Sequence, residues 1–152
     1  MTEKTINPLI REAVNTVLET MFFSAPLGPA AVETGDAVLE ARLGFRGHRG
    51  GMFLLSVSAP GARLLAADFL GEAPETLADS APGQVVCEMA NMICGKLLSQ
   101  LESGPTFLLE TPELVAPGTG HVPLASAPGA IQQSFQLETG ILSVTLHFGL
   151  PA

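Results

Sequence analysis

The 152-residue sequence contains no tryptophan and no tyrosine, and its 7 Lys and Arg face 15 Asp and Glu, for a net charge of −8. Each absence narrows the possibilities. Binding a nucleic-acid backbone needs clustered positive charge, and of the base-stacking side chains only phenylalanine remains, so nucleic acid is excluded as an expected partner. No apolar run approaches the ~20 residues that a membrane-spanning helix requires. Met1 to Asn7 is polar and lacks the basic-then-apolar pattern of a secretory signal. The reading is a soluble, cytosolic protein with no membrane partner. Cys87 and Cys94 fall on one expected helix, two turns or about 10 Å apart, which is too far for a disulfide. With no second cysteine pair nearby they form no metal motif, and both read as reduced thiols buried in the core. The sequence also lacks a Gly-x-Ser-x-Gly elbow and a Walker loop, so neither a serine hydrolase triad nor a nucleotide-binding loop has support.

What is present is apolar: 47% hydrophobic residues against 14% charged. That balance excludes a disordered chain and suits one domain, residues 1–152, with a real core. The surplus of apolar residues is compatible with a dimer or another partner. Asn7-Pro8 reads as the N-cap and first position of a helix, continued by Leu9, Ile10, Ala13, Val14, Val17, Leu18 and Met21 to about Phe22-Phe23. A loop, Ser24 to Pro29, follows. Ala37 to Phe45 and Met52 to Val57 read as two strands around an Arg46 to Gly51 turn. Ser58 and Pro60 open a second helix that Gly71 stops, and residues 72–80 form a polar connection. A third helix spans about Ala81 to Leu101, with Ser80 as N-cap, a first turn weakened by Gly83, and Gly104-Pro105 as the stop. Short strands are expected at Phe107 to Glu110 and Glu113 to Val115, then a Gly/Pro-rich loop over 116–128. Ile131 to Leu137 and Ile141 to Phe148 form a hairpin around Glu138-Thr139-Gly140. This order predicts an α+β domain, an antiparallel sheet with long helices packed on one face.

The third helix carries the chemistry. At roughly 100° per residue, Gln84, Glu88, Asn91, Gly95, Ser99 and Glu102 fall within an arc of roughly 80°. Almost everything else on the helix is apolar, so this single polar ridge must face water or a partner. Glu88 and Asn91 are three residues apart and project together. Gly95, one turn on, leaves bare backbone where another molecule could approach. The carboxylate can pair with a cation, and the carboxamide can hold a water by donating and accepting at once. The spacing alone also describes the ordinary solvated face of an amphipathic helix.

The run Glu88-Met89-Ala90-Asn91-Met92-Ile93-Cys94-Gly95 resembles the Glu-x-x-Asn-x-(Ile/Leu)-x-Gly signature of the CheC/CheX/FliY phosphatases. Ile6-Asn7-Pro8-Leu9-Ile10-Arg11-Glu12-Ala13 resembles the Asn-Pro opening of the CheX-like branch. Two departures stand beside these matches. Gln84 occupies the position where the family pattern has Asp or Ser, and Pro112 sits one residue short of the family's downstream proline. The first helix carries Asn15 and Glu19 in reverse order, so the chain has one such site, as in CheX-like proteins. The resemblance implies a CheX/CheC-like fold and hydrolysis of the aspartyl phosphate of a CheY-like response-regulator receiver. It implies that Asn91 positions the attacking water and that Glu88 docks to a receiver lysine, with Gly95 and Gln84 on the same contact face. It further implies no cofactor bound by this chain, Mg²⁺ supplied by the receiver, and a homodimer.

Other candidates carry less. His48, between Arg46 and Arg49 in a Gly-rich turn, could bind an anion but reads as a solvated hairpin tip. His121 and His147 lack a partner pattern for a metal. The Met21-Phe22-Phe23 and Met89/Met92 clusters read as core. Two functions therefore remain: a receiver phosphatase, and a non-catalytic receiver-binding or assembly module of the same fold, for which the Gln84 departure leaves room.

Overall fold

In a computed structural model the described residues are 3–22, 24, 26–29, 37–47, 50–101, 107–115 and 129–149. The expected hairpin tip at His48 and Arg49, the third helix's Gly104-Pro105 stop, Glu102, and the loop 116–128 with His121 lie outside them, as do Phe23 at the expected end of the first helix and Ala25 of the loop after it.

The elements run α1 (Glu3–Met21), β1 (Gly28–Pro29), β2 (Val38–Arg46), β3 (Gly51–Ser58), α2 (Ala59–Leu70), a 3₁₀ turn (Pro74–Thr76), α3 (Ala81–Leu101), β4 (Leu108–Leu109), β5 (Glu113–Leu114), β6 (Ile131–Gln136) and β7 (Ile141–Phe148). Among the described residues the strands form one seven-stranded sheet in the order β1-β6-β7-β3-β2-β4, with β5 also paired to β2. Every pairing is antiparallel. The α+β architecture expected from the element order is the one observed.

Alternation sets the sheet's buried face. Ala41, Leu43 and Phe45 of β2 lie beside Phe53, Leu55 and Val57 of β3 and Leu142, Val144 and Leu146 of β7, all nearly inaccessible. This face joins the apolar sides of all three helices in one core cluster. Thr145 breaks the pattern: it points to the other face and is nevertheless buried.

α1 departs from its sequence reading. The helix begins at Glu3, and Pro8 lies inside it rather than at its first position. Pro8 removes one backbone donor, which normally ends or kinks a helix. Tertiary contacts offset the loss. Ile6, the residue before the expected cap, is buried in the core. Asn7 is not a cap; its backbone carbonyl and its Oδ1 both accept from Gln133 Nε2, at 2.7 and 3.1 Å. The expected loop before residue 30 likewise contains a short strand, because Gly28 and Pro29 pair with Gln136 and Phe135 on the edge of the sheet.

α2 is held by the β6–β7 hairpin. Gly140, with φ +86°, turns that hairpin where the sequence placed it. Ser58 Oγ accepts from the Ile141 N–H at 2.8 Å and donates to its carbonyl at 3.3 Å. A Cβ on Gly61 would run into the Thr139 carbonyl oxygen, so the absence of a side chain there lets the helix close on the turn. At its other end α2 stops at Gly71, whose left-handed φ of 68° lets its N–H bond back to the Ala67 carbonyl. Phe69 stacks on the fully buried Phe22, the residue just after α1, ring centroids 5.0 Å apart. α2 thereby ends beside the first half of α3.

Candidate functional site

α3 runs over the residues its sequence pattern marks, Ala81 to Leu101. Its helical bonding starts at Ser80, whose carbonyl accepts from Gln84 N–H at 3.1 Å. Gly83 does not delay the start. It is buried, and a Cβ there would meet Leu114 Cδ1 of β5 at 2.6 Å, so the glycine makes room for a strand side chain. Val86, Met89, Ala90, Ile93, Cys94 and Leu97 are fully inaccessible. On the opposite side Gln84, Glu88, Asn91 and Ser99 are exposed, as the single polar ridge requires.

Glu88 and Asn91 open onto a shallow depression of about 310 Å³. Its far wall is Leu109, Glu110, Thr111 and Pro112, the segment joining β4 to β5. Nothing in the local pattern marks this segment as facing the pair; the one signal is Pro112, near the position of the family's downstream proline. Glu110 is anchored by its N–H to the Gly44 carbonyl at 2.9 Å, and its carboxylate lies over Gly44 on the outer face of the sheet. Among the described residues no side-chain hydrogen bond holds Glu88 or Asn91, so both present their full polar capacity outward. No group of three or more His, Cys, Asp or Glu is arranged for a metal among the described residues.

The structure places the other expected contacts as follows. Gln84 lies on the same ridge but lines a second, more apolar depression with Phe69, Leu70 and Leu114, of which Cys87 and Glu88 also form part. Gly95 is half-buried rather than bare, because Leu109 Cδ1 sits 3.7 Å from where its Cβ would be. That is ordinary contact, so Gly95→Ala fits without a shift. Removing the glycine's conformational freedom should raise stability by about 0.5–1 kcal/mol, a Tm gain of roughly 1–4 °C in a thermal melt. A lower Tm would show that the helix needs a glycine here for packing.

Cys94 is in the core, as expected, and burial pushes its thiol far above the usual range. Cys87 corrects the sequence reading: it is only half-buried and lies on the divide between the two depressions. Its thiol pKa is raised by partial burial and by the neighbouring Glu88 charge, so at neutral pH it stays protonated.

Among the described residues, an antiparallel sheet backed by three α-helices, with Glu88 and Asn91 on the exposed ridge of α3, is an α+β architecture. Residues 39–136 match the family model described as chemotaxis phosphatase CheX, and the chain belongs to that CheX family. It is similar in structure to the chemotaxis protein CheX from Vibrio vulnificus, with 24% identity over 98% of this chain and 99% of that one and a TM-score of 0.74. It is similar to CheX from Desulfovibrio desulfuricans, with 25% identity over 95% and 99% and a TM-score of 0.72. The CheX of a CheX–CheY–BeF3–Mg²⁺ complex from Borrelia burgdorferi shares the fold at 17% identity over 95% and 98%, with a TM-score of 0.70. No curated protein matches the chain. No helix among the described residues is long and apolar enough to cross a membrane.

Proposed function

We propose that this chain hydrolyses the aspartyl phosphate of a CheY-like receiver, in the cytosol, with Asn91 placing the attacking water and Glu88 fixing the receiver. The observation that carries this reading is the pairing itself: a carboxylate and a carboxamide, side by side, exposed and unheld, on the polar ridge of a helix whose opposite side is buried. The Borrelia complex, which joins a CheX to CheY with BeF3 and Mg²⁺, supports the choice of partner.

In the proposed reaction water attacks phosphorus in line with the receiver's aspartate. The phosphorus–oxygen bond to that aspartate breaks, the carboxylate leaves with the electron pair, and phosphate departs with the water's oxygen. Such a transfer is mostly positioning and charge stabilisation, so a carboxamide that accepts a hydrogen bond from the water suffices. Glu88 pairs with a receiver lysine. The receiver supplies the Mg²⁺, and this chain contributes no metal ligand. We further propose that the chain forms a homodimer, which sedimentation would read directly.

The test is phosphate release from a panel of phosphorylated CheY-like receivers. Wild type should accelerate release from at least one. Glu88→Ala should weaken the apparent affinity for that receiver about tenfold, as expected for losing one interfacial ion pair, and added salt should narrow the difference. Binding without acceleration on every receiver would replace this reading with the adaptor.

A further inference from the structure

We infer that the apolar depression beside Glu88 seats an apolar side chain that the receiver presents next to the cation Glu88 pairs with. This rests on the proposed receiver partner and adds a determinant of which receiver is accepted. The depression holds about 520 Å³ between the end of α2, the first half of α3 and β5. Cys87 and Glu88 line both it and the depression that contains Asn91, so a partner group reaching Glu88 overlies both.

Three observations define the occupant. The walls are apolar and open: Leu70 and Leu114 are 43% and 48% exposed, an arrangement that favours burial against a partner. Part of the lining is already packed, since Phe69 stacks on Phe22 and Leu114 fits against the space that Gly83 leaves. The stretch of chain from the second half of α2 to the first half of α3 is acidic. Between Arg63 and Lys96 the chain has no Lys or Arg, and Asp68, Glu72, Glu75, Asp79 and Glu88 are all exposed. An apolar side chain flanked by basic residues matches this pocket, whereas an acidic partner face would be repelled.

The measurement is the Kd of the full chain for beryllofluoride-treated receivers, for wild type and for Leu70→Gln/Leu114→Gln, with folding checked by circular dichroism. Leu70→Gln alone, at the end of α2, serves if the double variant unfolds. The Kd should rise about tenfold, the effect of leaving one apolar side chain unburied, and high salt should not restore it. A Kd within twofold of wild type would overturn the inference while leaving the phosphatase reading to its own assay. Wild type binding no receiver would overturn both. A dimeric wild type that the substitution turns monomeric would assign the depression to a second copy of this chain and likewise overturn the inference.

Discussion

Replacing Asn91 by alanine is expected to slow receiver dephosphorylation by about 10²–10³-fold, with the protein's melting temperature unchanged within a degree or so. Two features of the site set both halves of that expectation. The Asn91 side chain is exposed and makes no hydrogen bond to other described residues, so its removal leaves no buried group unsatisfied and opens no cavity. In the proposed reaction it is the group of this chain that orients the water. Asn91→Asp sharpens the test. It keeps the shape but replaces a donor with a second acceptor and puts a negative charge beside the phosphoryl group, so it should not rescue the rate. Single-turnover phosphate release at saturating protein separates this loss from weakened docking. A rate within threefold of wild type would exclude Asn91 from the chemistry.

Two residues along the same helix the expected result reverses. Ile93 is fully buried in the core cluster, and Ile93→Ala should cost about 2–4 kcal/mol, combining lost burial with the cavity left behind. For a chain of this length that lowers Tm by roughly 4–16 °C. Below its melting transition the variant should still dephosphorylate the receiver, since Ile93 points away from the ridge. Thermal denaturation followed by circular dichroism reads the first effect, and phosphate release at low temperature reads the second. A stability loss under 1 kcal/mol would mean that α3 is not anchored as its burial pattern indicates. Together Asn91 and Ile93 give one helix two independent tests, one for its exposed side and one for its buried side.

Both sides of α3 were legible in the sequence, for a simple reason. A helix displays its residues at a fixed angular step, so a ridge of Gln84, Glu88, Asn91 and Ser99 against an apolar remainder is a statement about exposure before any partner element is known. The β6–β7 hairpin was legible through alternation and a turn glycine, Gly140, and the end of α2 through Gly71. Local rules failed where long-range contacts overrode them. Asn7-Pro8 has the composition of a helix start, yet burial of Ile6 and the two bonds from Gln133 carry α1 past it. Gly83 looks like a weak first turn, yet its missing side chain is what admits Leu114.

The sequence by itself therefore determined the helical face, the Glu88/Asn91 pair and the α+β class, because periodicity and local backbone preference are properties of neighbouring residues. Only the tertiary structure decided what stands opposite that face. Leu109 to Pro112 and Leu114 come from two short strands and the segment joining them, far along the chain, and the strands' pairing with β2 is set by the sheet as a whole. The same pairing half-covers Gly95 and, with the end of α2, encloses an apolar depression next to Glu88. Such juxtapositions depend on packing between segments distant in sequence, and no periodicity within any one of them encodes the meeting.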